Sequence, residues 1–279
     1  MKKTVCMVLA MLAGFCFSAD LFANEKDHQK KNYENEKFVW TDNYVSEGNH
    51  AALAPSTEEI VTTCLSKDGK PLRWVRKNDI YKYGKFTGTS TLETALYNMA
   101  VDEMINNFEK DGTLRTGLYW GGVWTRDVSY SSLLSLAYMC PDKVKNSLEV
   151  KIDRMGRIIQ DTGTGGSWPC SSDRVVWALS AWNIYLATGD IEWLQKAYPV
   201  IIKSLECDDM VVFNPQTGLY RGESSFIDWR EQSYPTWAQP ADIYLSECLG
   251  TNAAFYGVLK VTADMAAALG NKKDAKKYT

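Results

Sequence analysis

A chain of 279 residues, 45% apolar and 23% charged, has the composition of a globular protein and enough length to bury one large core or two small ones. Its formal net charge of −3 gives no positive footprint, which argues against nucleic acid and anionic membranes as partners. The two histidines, His28 and His50, both lie near the start, so Ser-His-Asp catalysis, Cys-His catalysis and a His-based metal site each lack an essential part further on.

Taken in order, Lys2 and Lys3 precede an apolar run over residues 5–19, too short to span a bilayer but suited to a secretory signal cleaved after Ala23. Phe15 ahead of Cys16 breaks the lipoprotein pattern, so the expectation is export to the periplasm or beyond, with a lipid anchor as the lesser alternative. The domain reading is a signal at 1–23, a spacer and N-terminal extension at 24–89, and a helical domain at 90–279. Residues 24–37 are polar and charged, a disordered spacer. Residues 38–85 hold short mixed segments with turns at Gly48 and Asp68-Gly69; residues 57–64 read equally as a short helix or a strand.

The helical pattern starts near Ser90, where Leu92, Leu96, Met99, Met104, Ile105 and Phe108 recur at helical spacing until Asp111-Gly112. A second helix is predicted from about Asp127 to Pro141 and a third, amphipathic one over 143–157. After a Gly-rich loop at 162–169 comes a helix over 173–188 that is apolar nearly all round and must be buried on most sides. Gly189 ends it and Asp190 caps the next, whose Leu194, Tyr198, Ile201 and Leu205 form one stripe and whose Pro199 predicts a kink or break. A hairpin is predicted at 211–221, then a motif loop to about Pro240, one long helix over 243–269, and the start of another at 271–277. An all-round-buried helix beside an amphipathic one is the inner-then-outer pattern of a two-layer α/α toroid. The fold expected is therefore mainly α, a toroid incomplete at Thr279, with a short mixed N-terminal region and small hairpin insertions.

The five cysteines after the signal (Cys64, Cys140, Cys170, Cys207 and Cys248) are widely spaced, with no zinc-ligand pair; one or two disulfides are compatible with export, but the sequence does not pair them. Gly163, Gly165 and Gly166 have neither the Lys of a phosphate loop nor a preceding strand. No metal and no cofactor is expected, so acid-base chemistry falls to Asp, Glu, Tyr or Lys.

Two stretches carry that chemistry. Residues 119–127 read Tyr-Trp-Gly-Gly-Val-Trp-Thr-Arg-Asp: aromatic faces to stack on a ring, beside a donor and an acceptor for its hydroxyls. An Arg-Asp pair capping the following helix explains part of this equally well. Residues 222–231 read Gly-Glu-Ser-Ser-Phe-Ile-Asp-Trp-Arg-Glu, with Glu223, Asp228 and Glu231 around Trp229 and Arg230. Carboxylates among aromatics suit glycoside hydrolysis, which needs a carboxylic acid for the leaving oxygen and a carboxylate on the opposite side. The plainer alternative for this stretch is a solvated polar loop.

Together with Ser-Asp-Arg-Val-Val-Trp at 172–177 and Thr-Gly-Asp at 188–190, these segments resemble the six-hairpin (α/α)6 glycosidases: trehalases, glucosidase I-like enzymes, glucoamylases and glycogen debranching enzymes. The resemblance runs from about Leu92 onward and is nearest to exported bacterial members. It implies that Arg126 and Asp127 bond the hydroxyls of a terminal sugar, with Trp124 or Tyr119 stacked on it and Trp120 beside them. It implies a sugar contact at Asp173, with a plain N-cap as the alternative, and a wall or core position for Trp168. Asp228 matches the general acid, with Glu223 and Glu231 as fallbacks; Phe226, Ile227 and Trp229 would raise its pKa. Trp229 and Arg230 would line the site. The clan's general base comes late in the toroid and is expected beyond Thr279. The reading is an inverting O-glycosyl hydrolase acting on a terminal sugar of an oligo- or polysaccharide. The alternative is a non-catalytic carbohydrate-binding toroid, and a toroid-type polysaccharide lyase is disfavoured by the missing histidines.

Overall fold

In the computed structural model, the chain beyond residue 31 first runs back and forth through six strands: β1 (Tyr33–Glu34), β2 (Phe38–Trp40), β3 (Tyr44–Glu47), β4 (His50–Ser56), β5 (Glu59–Leu65) and β6 (Pro71–Val75). Each pairs antiparallel with the next, giving one six-stranded sheet in sequence order. The structure describes residues 31–159, 168–169, 173–223 and 234–279; the signal expected at 1–23 lies outside them. Gly48 and Gly69, with φ of 57° and 76°, make the predicted turns, and the ambiguous segment at 57–64 is resolved as strand β5.

Helix α1 (Thr91–Asn106) lies on β4 and β5 and buries Leu92 and Ala95 against Ala54 and Ile60, with Trp40 and Trp74 at the edge. Asp102, buried on α1, accepts hydrogen bonds from Trp74 Nε1 at 3.0 Å, Asn78 N at 2.9 Å and Asn78 Nδ2 at 2.8 Å. Burial alone would raise its pKa; these donors outweigh burial and hold the carboxyl below its ordinary value. The sheet and α1 belong to one compact unit, Met1–Asn106, and the rest of the chain to another, Asn107–Thr279.

The second unit is a threefold repetition: a β-bridged hairpin, a motif loop, an inner helix, a short turn, an outer helix. The hairpins are closed by Phe108 with Leu114, by Ile152 with Ile158, and by β7 (Phe213–Asn214) with β8 (Leu219–Tyr220). Their backbone bonds match place for place. Arg115 N donates to Asn107 O, Ile159 N to Lys151 O and Arg221 N to Val212 O, at 3.0, 2.9 and 2.8 Å. Each turns at a glycine with positive φ, Gly112 (88°), Gly156 (77°) and Gly218 (74°), where an L side chain would be strained.

The first inner helix is α2 (Thr125–Ser131), widening to a π turn at Ser132–Leu136 and ending as α3 (Ala137–Met139); its outer partner is α4 (Pro141–Glu149). A 3-10 turn at Asp173–Val176 leads into inner helix α5 (Trp177–Thr188), followed by outer α6 (Ile191–Val211). Inner α7 (Pro240–Leu245) and α8 (Leu249–Ala268) are followed by outer α9 (Lys272–Tyr278). Inner-to-outer connections are turns of one to three residues, which make antiparallel helix pairs. Asp190 Oδ1 caps α6 by accepting from Trp193 N at 2.9 Å, and Asn271 Oδ1 caps α9 by accepting from Asp274 N at 3.1 Å. With every inner-to-outer turn at one end, the hairpins share the opposite end with the starts of the inner helices.

Helix α5 sits in the middle of this layer, against α2, α3, α4, α6 and α8. Trp177, Ala178, Ser180, Ala181 and Ile184 are buried, and Trp177 Nε1 donates to Leu148 O at 2.9 Å. These observations agree with a mainly α fold of inner and outer helices.

Several expectations change. The third helix stops at Glu149 rather than about 157, because Asp153 Oδ1 takes the N–H groups of Met155 and Arg157, both at 2.9 Å, and closes a hairpin turn instead. Asp111-Gly112 likewise turns a hairpin rather than ending a helix, since α1 stops at Asn106. Pro199 does not break α6, which is continuous for 21 residues; its buried stripe, Leu194, Tyr198, Ile201 and Leu205 among others, offsets the lost hydrogen bond. The single long helix at 243–269 is two helices, interrupted by extended backbone at Ser246 and Cys248, where Gly222 N donates to Ser246 O at 2.9 Å. Helix α5 is also less enclosed than its composition suggests, with Leu186 57% exposed.

Candidate functional site

Among the described residues, the hairpin end carries the stretch 116–127, Asp173 at the start of the second inner helix, and Glu223. After the first hairpin the chain makes a tight turn in which Gly117 and Trp120 exchange backbone bonds at 3.1 and 3.3 Å, so Leu118 and Tyr119 form its tip. Arg115 braces that turn, donating from Nε to Gly117 O at 3.0 Å and from Nη2 to Leu118 O at 3.2 Å. Tyr119 is 80% exposed and Trp120 55% exposed, an aromatic edge that the chain holds in place instead of burying. Trp120 meets Trp124 edge to face, ring centroids 6.0 Å apart.

Gly122 has a φ of 82°, and a Cβ there would meet nothing within 4 Å. Gly122 therefore sets a backbone bend that side chains rarely adopt. Trp124 is the extended residue before α2, so the helix starts at Thr125, earlier than the predicted Asp127. Arg126 and Asp127 lie in its first turn, half-buried, with Asp127 at the end of the helix that favours negative charge. The same first turn is tied to the second hairpin: Thr125 Oγ1 donates to Ile159 O at 3.0 Å.

In the second repeat Asp173 opens the 3-10 turn that packs against both α2 and α8. Next to it, Arg174 is fully buried, donating from Nε to Ile158 O at 3.0 Å and from Nη2 to Asp208 Oδ1 at 2.6 Å. Trp168 Nε1 donates to the same Asp208 oxygen at 2.9 Å, and its ring lies under the guanidinium groups of Arg157, at 4.6 Å, and Arg174, at 5.7 Å. Burial pushes the Asp208 carboxyl upward, opposed by Arg174 and the Trp168 N–H. This cluster anchors both ends of the second motif loop, at hairpin two and at the start of α5. Trp168 thus has its polar edge and one face engaged in that anchor.

In the third repeat Glu223 is buried, 1% exposed, and its carbonyl accepts from Thr251 Oγ1 on α8. Glu247, in the break between α7 and α8, accepts from Asn214 Nδ2 at 2.7 Å and Thr217 Oγ1 at 2.9 Å, which clips the third hairpin to that break. Asp228, Trp229, Arg230 and Glu231 lie outside the described residues, as do most of residues 160–172.

The structure thus gathers the starts of three inner helices at one end, with Arg126 and Asp127 on the first, Asp173 on the second and Glu223 tied to the third. Sequence reasoning missed Arg115, Arg174, Asp208 and Glu247. The signal that would have found the framework is the recurring hairpin turn, with Gly112, Gly156 and Gly218 each followed shortly by Leu114, Ile158 and Leu219. Cys64, Cys207 and Cys248 carry free thiols, and burial pushes the Cys140 thiol up to about 11. Among the described residues no group could hold a metal ion and no helix is long and apolar enough to cross a membrane.

Residues 160–279 match a family model described as the bacterial alpha-L-rhamnosidase 6 hairpin glycosidase domain. The matched segment runs from the second motif loop through α9 and agrees with the six-hairpin glycosidase resemblance and with a mainly α toroid. A comparison with curated proteins gives no match.

Proposed function

With residues 160–279 read as a six-hairpin glycosidase domain, we propose that this protein is an exported glycoside hydrolase that removes a terminal sugar from an oligo- or polysaccharide by an inverting mechanism. The observation that carries the reading is the gathering of the inner-helix starts at the hairpin end, with a braced aromatic edge at Tyr119 and Trp120 just ahead of the helix turn that holds Arg126 and Asp127. Trp124 or Tyr119 stacks on the sugar ring, Trp120 flanks it, and Arg126 and Asp127 bond its hydroxyls. Asp173, Trp168, Trp229 and Arg230 complete the surround. Asp228 gives its proton to the leaving oxygen as the C–O bond breaks. A second carboxylate takes a proton from water on the opposite face, and the water oxygen joins the anomeric carbon. Glu223 and Glu231 are the reserve acids. Export follows from the charged and apolar pattern of residues 1–23.

The matched family is named for α-L-rhamnosidase activity, so a terminal α-L-rhamnosyl group is the first substrate to test. Release of free sugar from nitrophenyl α-L-rhamnoside and from rhamnosyl oligosaccharides is expected. Asp228→Asn should lower turnover by about 10²–10⁴-fold with an unchanged unfolding midpoint. Near-normal turnover in that variant would overturn the acid assignment. Saccharide binding by calorimetry without any hydrolysis would instead favour a carbohydrate-binding toroid.

A further inference from the structure

The net charge of −3 conceals a local excess of the opposite sign: residues 67–85 hold seven basic side chains and two acidic ones. They span β6, the last strand in the sheet order, and the 3-10 turn Tyr81–Tyr83 that follows it. Three of the cations are matched, Lys70 with Asp68 at 3.4 Å, Arg73 with Glu59 at 2.8 Å and Arg76 with Glu58 at 3.1 Å. Lys77, Lys82 and Lys85 are exposed and have no carboxylate partner among the described residues. Lysines on an edge strand commonly guard it against pairing with another chain. These three lie beyond Val75, where β6 ends, and guard no strand.

Tyr81 gathers the cations around a fixed ring. Its hydroxyl donates to Glu58 Oε1 at 2.9 Å, and the same carboxylate holds Arg76. Arg76 Cζ lies 5.5 Å and Lys85 Nζ 5.2 Å from the Tyr81 ring centroid. Arg76 Nη1 also donates to Asn78 O at 2.7 Å, so the guanidinium is placed without any ligand. Phe86 packs on Tyr97 of α1 with ring centroids 5.2 Å apart, and a Cβ at Gly84 would stand 3.6 Å from Tyr97 Oη. The segment is thus held against the helix, yet Tyr81 and Phe86 each stay 45% exposed.

We infer that Arg76, Lys77, Tyr81, Lys82, Lys85 and Phe86 form a docking surface for an acidic polysaccharide, borne by the N-terminal unit. The choice of a glycan among polyanions rests on the proposed glycosidase reading; the patch itself does not. Exposed aromatic surface beside the cations suits the C–H faces of sugar rings. Charge spacing points the same way. Duplex nucleic acid carries one charge per about 1.7 Å and rewards an unbroken basic surface. Here Glu58, Glu59, Asp68 and Asp79 interrupt it, so a polymer whose carboxylates are spaced by neutral rings is the better complement.

The test compares binding of polygalacturonate with that of its fully methyl-esterified form, by calorimetry on the full chain. Wild-type protein should bind the acidic polymer at least about tenfold more tightly than the ester. Raising salt from about 50 to about 200 mM should weaken that binding about tenfold. Lys82→Glu with Lys85→Glu should abolish the preference, and Lys82→Arg with Lys85→Arg should keep it, both with an unchanged unfolding midpoint. Equal affinity for the two polymers, binding of neither, or a preference that survives charge reversal would overturn the patch. Duplex DNA or phosphatidylglycerol vesicles bound as tightly as polygalacturonate would overturn the choice of a glycan. Absence of rhamnoside hydrolysis with the acidic preference intact would count against the glycosidase reading alone.

Discussion

At the scale of single residues, the buried Arg174–Asp208 pair separates what holds the site from what would touch a substrate. Both side chains are 0% exposed, so neither ion recovers hydration if its partner is lost. Asp208→Ala should leave the Arg174 guanidinium and the Trp168 N–H without their acceptor and cost about 3–5 kcal/mol, read from denaturant unfolding. The double variant Arg174→Met with Asp208→Leu should cost much less than the sum of the two single changes, because replacing both ions avoids stranding either. A strictly additive result would mean that the pair is not coupled. Neither residue stands out in the sequence, since Arg174 reads as part of a helix start and Asp208 as one of several charges on an amphipathic helix. Their importance arises from a contact 34 positions long, which no local pattern encodes.

At the scale of elements, each hairpin donates a backbone N–H to a side chain on a helix. Leu114 N donates to Ser147 Oγ, Ile158 N to Ser204 Oγ at 2.9 Å, and Tyr220 N to Asn252 Oδ1 at 2.8 Å. The two serines also donate to the carbonyls four residues back, those of Lys143 and Val200. Ser204→Ala should leave the Ile158 N–H buried without a partner and cost about 1–3 kcal/mol, with faster hydrogen exchange around hairpin two than around hairpin three. Equal exchange in both hairpins would contradict a local seating role.

The helices were legible because their apolar stripes run for several turns, and Gly189 with Asp190 marked a boundary that the structure keeps. The hairpins were not, apart from the third. A strand of one or two residues has no periodicity to read, and a Gly after a helical run looks like a helix stop. The strands of the N-terminal sheet are seven residues or fewer, and β4 reads His-Ala-Ala-Leu-Ala-Pro-Ser, with no alternation, so their order emerged only from pairing. Of the candidate site, the aromatic and charged motifs were visible, while the braces that aim them were not.

At the scale of the whole molecule, acid should act on the N-terminal unit through Asp102. The folded pKa of Asp102 lies below its ordinary value. Its contribution is therefore complete above the unfolded carboxyl value of about 3.9 and is lost as pH falls through the lower folded value. The N-terminal unit should lose stability below about pH 4, followed by thermal unfolding at stepped pH. In Asp102→Asn that acid-dependent loss should be smaller, on top of a cost of about 1–3 kcal/mol at neutral pH from donors facing an amide. An unaltered acid dependence in the variant would remove Asp102 from this role.

The shared end of the three hairpins has one more implication. Each motif loop starts from a hairpin strand already fixed by its own bonds and finishes at the first turn of an inner helix. Residues 116–124, 160–172 and 223–239 fill these intervals with unequal lengths. Loop closure entropy grows slowly with length, about 0.6 kcal/mol for each doubling. The loops are cassettes held between permanent clamps. Their sequence and size can drift toward a new glycan while the helical layer behind them stays as it is.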